Sequence, residues 1–230
     1  MKKLLWLFTG CFFSPLLLAK TVDLSSPDGK IIVSINDDKV PNYSITMVGE
    51  AAITKSRLGL RFKKAAELGE GFAITAVKRE SVDNNWQQPW GERKTVNDKH
   101  NEIVITFSHQ RKKTNHFNVR FRAFNDGIGF RYEVAKQQGL AGDIEITNEL
   151  TEFAVADAKT STAWWIPSRG WNRYEYLYQT SNIESIDRVH TPFTFKYPSG
   201  LHISIHEAAL VDYAGMTLSL IHISEPTRPY

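Results

Sequence analysis

Two stretches of the chain gather side chains able to hold a sugar. One is Trp86-Gln87-Gln88-Pro89-Trp90-Gly91-Glu92. The other opens with Trp164-Trp165-Ile166-Pro167 and continues through Trp171 to Tyr174-Glu175-Tyr176-Leu177-Tyr178. Flat apolar rings can cover the C–H face of a pyranose while neighbouring amides and carboxylates bond its hydroxyls. The same rings are also what fills a sandwich core or a domain contact, because aromatics dominate buried area in both settings. Residue type and spacing leave both readings open.

Other chemistry is thinly represented. His202 and His206 are four apart and would share one face of a strand, with Glu207 beside them. Yet His206-Glu207-Ala208-Ala209-Leu210 lacks the second histidine of the H-E-x-x-H zinc motif, so these side chains read as structural. No G-x-S-x-G elbow, phosphate-binding glycine loop or metal-spaced cluster occurs.

The elements that must position the aromatics read as strands. Lys30–Ile35 is rich in β-branched residues and follows a turn at Ser26-Pro27-Asp28-Gly29. Tyr43–Met47, Phe72–Val77 and Ile103–Phe107 continue the pattern, and Ile144–Ile146 and Leu201–Ile205 look like further strands. Phe117–Phe124 alternates strictly, placing Phe117, Val119 and Phe121 on one face. It runs through Asn125-Asp126-Gly127 into Gly129–Val134, which predicts a hairpin closed by a type I′ turn. A helical period shows only weakly, over residues 180–189. Many short, evenly spaced strands predict one all-β domain, an antiparallel sandwich.

At 230 residues, 42% hydrophobic and 23% charged, the chain has ample material for one core. A (β/α)8 barrel takes about 250 residues, which excludes a barrel plus a further domain within this length. A net charge of +3 is too small to argue for nucleic acid. Lys2 and Lys3 precede an apolar run, Leu4–Leu18, and Ala19 is a suitable cleavage residue, so residues 1–19 read as a secretory signal. The run is shorter than the roughly 20 residues a spanning helix needs, so no stable membrane insertion is expected once it is removed. Removal takes away two lysines and no acid, lowering the charge from +3 to +1, and also the single cysteine, Cys11. The mature chain would then have no disulfide, no thiolate nucleophile and no Cys-ligated zinc.

Several of these segments, in order, resemble glycoside hydrolase family 97, a family of α-glucosidases and α-galactosidases. The resemblance runs from Leu24-Ser25-Ser26-Pro27-Asp28-Gly29 through Trp86–Glu92 and Phe121–Glu133. It continues through Trp165-Ile166-Pro167 with Tyr174-Glu175-Tyr176 to His206-Glu207-Ala208-Ala209-Leu210-Val211-Asp212-Tyr213. The hairpin and the last run are its specific parts. The resemblance implies an N-terminal antiparallel β-supersandwich of the galactose-mutarotase type, packed in the full-length protein against its own (β/α)8 barrel. It implies an exported, often periplasmic, calcium-dependent enzyme acting on α-glucosides or α-galactosides, with its catalytic carboxylates on the barrel. No catalytic residue is therefore assigned here. Glu175 matches a glutamate with which the family's sandwich binds calcium. Trp165, Trp171 and Tyr174 would line the substrate pocket or the sandwich–barrel contact.

After Met216-Thr217-Leu218 the family pattern is lost, and residues 219–230 read like translated sequencing-adapter sequence. The expected division is a signal at 1–19, a sandwich at 20–218 that is incomplete at its C-terminal end, and a non-native tail at 219–230. Two alternatives predict a different behaviour: a stand-alone carbohydrate-binding sandwich, and a domain with no ligand whose tryptophans are all core or interface.

Overall fold

The computed structural model describes residues 19–137, 139–140, 142–170 and 173–223. The expected signal, apart from Ala19, and most of the expected tail lie outside them, as does Trp171. The regular structure is almost entirely antiparallel strand. β1 (Thr21–Ser25), β2 (Ile31–Asn36), β3 (Asn42–Met47) and β4 (Glu50–Arg57) form a meander in that order. The first turn is the predicted one. Gly29 N–H donates to the Ser26 carbonyl at 2.9 Å with Gly29 at φ +74°, a conformation that costs a glycine little.

After the short β5 (Leu60–Phe62) comes a second four-stranded meander: β6 (Phe72–Gln87), β7 (Thr95–His109), β8 (His116–Ala123) and β9 (Ile128–Glu133). β10 (Ile146–Glu149) pairs with β5. β11 (Thr162–Trp165) is flanked by β12 (Gln179–Asn182), and a single 3-10 turn, Ile183–Ser185, leads to β13 (Arg188–His190). β14 (Phe193–Lys196) and β15 (His202–Ile205) complete a third sheet ordered β12-β11-β14-β15. β16 (Thr217–Ser219) pairs with β13 and runs into a one-turn helix, α1 (Leu220–Ile223).

The alternation read from β8 holds: Phe117, Val119, Phe121 and Ala123 are all buried. The register sets them opposite Phe107, Ile105, Ile103 and Asn101 of β7, so aromatic and β-branched side chains form one inward face. Val22, Leu24, Val33, Ile35 and Tyr43 of the first sheet close over it. Tyr43 joins the two layers, its ring centroid 5.8 Å from that of Phe121 and 5.4 Å from that of Phe130. Burial of each such side chain stabilises the fold by about 1.5–3 kcal/mol. The third sheet adds Ala163, Trp165, Phe193 and Phe195 to the same core, and the Tyr197 hydroxyl donates to the Ala52 carbonyl on β4.

Outside this core the opposite face of the second sheet is an ion network. Glu102, 5% exposed, accepts from Arg120 and from Arg122 Nε at 2.7 Å, and Glu133 accepts from Arg120 Nε at 2.6 Å.

Three local expectations are corrected. The hairpin between β8 and β9 forms, but its ladder closes at Ala123↔Ile128 with Phe124–Gly127 between, and neither Asp126 nor Gly127 has positive φ. Longer loops of this kind are built around turns that need no left-handed residue, so type I′ is not used. Asn125 instead accepts from Asp28 N–H at 3.0 Å, tying this loop to the first turn. The weak helical period at 180–189 is overridden: strand pairing takes both ends, and only the 3-10 turn lies between. The strand expected at Ile144 begins at Ile146, where β5 offers it a partner.

Two features concern the ends of sheets. Among the described residues β15 pairs only with β14 and forms one edge of its sheet. Past Leu218, the residues up to Ile223 sit in the fold: Leu218 and Ile223 are buried, and the Ile223 carbonyl accepts from Val155 N–H at 2.7 Å. At the other extreme, β6 and β7 outrun the sheet. β8 reaches only Asn101, and beyond it Thr95–His100 pair with Val82–Gln87 as a bare two-stranded arm. At about 3.4 Å per residue the arm extends about 20 Å.

Candidate functional site

β11 is central in its sheet, and its alternation decides the fate of the first tryptophan pair. Ala163 and Trp165 point inward, and Thr162 and Trp164 outward. Trp165 is 6% exposed and its indole N–H donates to Ser181 Oγ at 3.0 Å. A buried indole needs that partner, and with it Trp165 is a satisfied core residue, one layer beneath the surface. Trp164 stacks on His202 with ring planes 7° apart.

Beyond Trp165 the chain leaves the sheet and docks on β13, with His190 N–H donating to the Ile166 carbonyl at 3.0 Å and Ser168 N–H to the Arg188 carbonyl at 2.8 Å. These bonds anchor the stem of the loop that carries Tyr174 and Glu175. Its crest is a tight turn closed by Tyr176 N–H to the Tyr174 carbonyl at 2.9 Å, which puts Glu175 at the apex. The Glu175 carboxylate is 83% exposed and has Arg173 Nε at 3.8 Å. A pair so exposed contributes at most about 1 kcal/mol, so Glu175 remains available to another partner. Arg173 lies over the Tyr176 ring, 5.5 Å from its centroid. Leu177 and Tyr178 are exposed at 89% and 63%.

Tyr174 is half-exposed, and its inner face covers His190 with ring centroids 4.1 Å apart. His190 is 3% exposed, and neither of its ring nitrogens has a hydrogen-bond partner. Such an imidazole is costly, about 1–3 kcal/mol for each unmet polar atom.

The loop following β15 stands against Tyr174: a Cβ on Gly215 would be 3.6 Å from the Tyr174 hydroxyl. Glu207 holds this loop. Its carboxylate accepts from Thr191 Oγ1 at 2.5 Å and from Met216 N–H. Burial pushes the Glu207 carboxyl up, but those two hydrogen bonds, with its own backbone N–H and the neighbouring His206 charge, together outweigh it and hold the group below the ordinary glutamate range. Tyr213 is tied separately, donating to Glu149 Oε2 at 2.9 Å. The run His206–Tyr213, which fails as a zinc motif, is thus a clamped loop with Leu210 and Val211 turned to solvent.

The structure therefore brings Tyr174 and Glu175 together on one exposed crest, whereas Trp165, expected to line the pocket or the barrel contact, is a buried core residue bonded to Ser181. Glu207 and His190, which support that crest, carry no signal in the sequence beyond an incomplete motif. Among the described residues, no group of three or more His, Cys, Asp or Glu side chains is arranged to hold a metal.

The model of the glycosyl-hydrolase 97 N-terminal region matches residues 24–228. The chain belongs to glycoside hydrolase family 97. A family 97 enzyme from Pseudoalteromonas sp. strain K8, solved in complex with acarbose, is similar to it at 54% identity and a TM-score of 0.83 over 86% of this chain and 30% of that one. A variant of that enzyme in complex with panose matches to the same extent. The retaining alpha-galactosidase of Bacteroides thetaiotaomicron is 26% identical over 95% of this chain and 33% of its own length. The chain thus spans about a third of the length of these family 97 relatives. It is the N-terminal, all-β part of a family of glycosidases.

Proposed function

We propose that this chain is the active-site-completing sandwich of an exported, calcium-dependent α-glycosidase, whose own barrel carries the catalytic carboxylates. The observation that carries the reading is the 54% identity and shared fold with a family 97 enzyme that binds acarbose. The substrate is an oligosaccharide or other α-glycoside, and no nucleic acid is involved. No helix among the described residues is long and apolar enough to cross a membrane. Lys2, Lys3 and the apolar run after them support export, to the periplasm, by a cleaved signal.

In this reading Glu175 supplies one calcium ligand from its exposed apex, and Tyr174 lines the substrate pocket or the contact with the barrel; Trp171, which lies outside the described residues, keeps the same proposed role from the sequence alone. Calcium takes six to eight oxygen ligands, and among the described residues no group of three or more His, Cys, Asp or Glu gathers to hold a metal, so in this reading the other protein ligands come from the barrel. Calorimetry on the isolated chain should show no micromolar calcium affinity. The decisive experiment replaces the matching region of the Pseudoalteromonas enzyme with residues 20–218 of this chain. The chimaera should hydrolyse an α-glucoside in the presence of calcium, and Glu175→Gln in it should raise the calcium requirement at least tenfold. A folded chimaera with normal activity and unchanged calcium dependence in that variant would remove Glu175 from the metal site.

A further inference from the structure

The β6–β7 arm ends in the first aromatic stretch, Trp86–Glu92, which the Tyr174–Glu175 crest does not use. Trp90 at its tip is 84% exposed and Trp86 is half-exposed. The tip is a built turn. The Gln88 side-chain amide donates to the Arg93 carbonyl at 2.6 Å, and Gln88 N–H donates to the Lys94 carbonyl at 3.1 Å. Gly91 has φ +125°, and a Cβ there would come within 2.7 Å of the Gln88 amide nitrogen, so the turn requires glycine at this position. The result is an open concavity of about 470 Å³, lined by Gln87, Gln88, Pro89, Trp90, Arg93 and Lys94.

We propose that this tip is a saccharide-binding site in which Trp90 stacks on a pyranose ring. An exposed indole beside amides and N–H donors is the pairing that a pyranose, apolar on its C–H face and polar around its rim, satisfies. The inward bonds of Gln88 leave its Oε1, the Gln87 amide and the donors of Arg93 and Lys94 for sugar hydroxyls. Arg93 and Lys94 form no ion pair among the described residues, and no hydrogen bond holds their side chains. The hydrogen-bonded turn fixes the backbone that carries Trp90 before the ligand arrives, which lowers part of the ordering cost of binding. The base of the arm is fixed as well, since His100 is buried, bonded to Asp98 at 2.6 Å, and packed on Phe124 at 4.9 Å. The ligand class is a neutral oligosaccharide of hexopyranose units. The affinity should be weak, millimolar, because a single ring platform and a few solvent-exposed hydrogen bonds carry it.

The test uses the chain as it is, with its Trp90 indole N–H and Gln88 side-chain amide followed by NMR. Addition of panose or maltotriose should shift both signals saturably, whereas glycerol, which has hydroxyls but no ring face, should not. Trp90→Ala should weaken binding at least tenfold and Trp90→Phe by less, with the backbone spectrum away from the tip unchanged. Tyr174→Ala should leave the tip response intact, which separates this site from the crest. Absence of any shift in millimolar sugar, an equal response to glycerol, or a response that survives Trp90→Ala overturns the proposal.

Discussion

Removal of the Glu207 carboxylate should release the loop that stands against Tyr174 without unfolding the sandwich. In the native structure this carboxylate accepts from Thr191 Oγ1 at 2.5 Å and from Met216 N–H, and so ties the loop after β15 both to the β13–β14 connection and to the residue before β16. Hydrogen bonds to a charged group contribute about 1.5–3 kcal/mol each, and the half-exposed surroundings let water replace part of that. Glu207→Ala should therefore cost about 2–4 kcal/mol, reported by the loop first, because local opening of a surface segment precedes global unfolding. At about 1.4 kcal/mol per tenfold, protection of the Met216 amide against hydrogen exchange should fall about 30- to 800-fold. Glu207→Gln keeps one acceptor oxygen and should lose roughly half as much. The pH dependence follows from the depressed carboxyl. A group whose folded-state value lies below its unfolded value of about 4.3 stabilises the fold above that value, and the contribution is lost as pH falls through the folded one. The difference between wild type and Glu207→Ala should accordingly be full at neutral pH and shrink under acid conditions. Exchange at Met216 within about threefold of wild type at neutral pH would mean that the carboxylate does not hold the loop, and the reasoning fails.

Three further outcomes follow from the packing. Glu102→Gln should destabilise the chain by about 2–3 kcal/mol in urea unfolding, because it leaves Arg120 and Arg122 without the 5% exposed carboxylate they share. Burial alone would raise the Glu102 carboxyl, but the two guanidinium groups hold it low, so this penalty too should fade as pH drops below the ordinary glutamate value. Gly59→Ala should cost about 1–3 kcal/mol in the same assay, since its Cβ would sit 2.5 Å from the Leu68 carbonyl oxygen, a backbone atom held by the Leu60–Leu68 bridge. Phe121→Ala should cost about 3–5 kcal/mol by emptying the centre of the contact with Tyr43 and Phe130, and a loss below about 1 kcal/mol would show that the two sheets are not packed through it.

Most of the sandwich was legible because strand alternation is a local property. Phe117, Val119 and Phe121 must share a face once the backbone is extended, and burial of that face follows from its composition. The turn at Ser26–Gly29 was legible for the same reason. The shape of the Asn125–Gly127 loop was not, because the register at Ala123↔Ile128 is set by the whole ladder and by the Asp28 contact from a distant turn. Nor was the arm. The expected strands stop at Val77 and begin again at Ile103, and nothing local shows β6 and β7 running on through Val82–Gln87 and Thr95–His100 past the end of β8 at Asn101.

The sequence by itself determined the all-β class, the family, and the two places where aromatic side chains concentrate. Which of those rings are exposed was decided by the tertiary structure. Trp165 and Trp90 are the same residue type in similar surroundings along the chain. One lies inside because β11 is flanked on both sides and its inward face meets the core, and the other is exposed because β6 and β7 continue past their neighbours. Burial depends on what packs across from a residue, and that partner is distant in the sequence. Glu207 follows the same rule: a lone carboxylate in an incomplete motif becomes a clamp only when Thr191 and Met216 are folded around it.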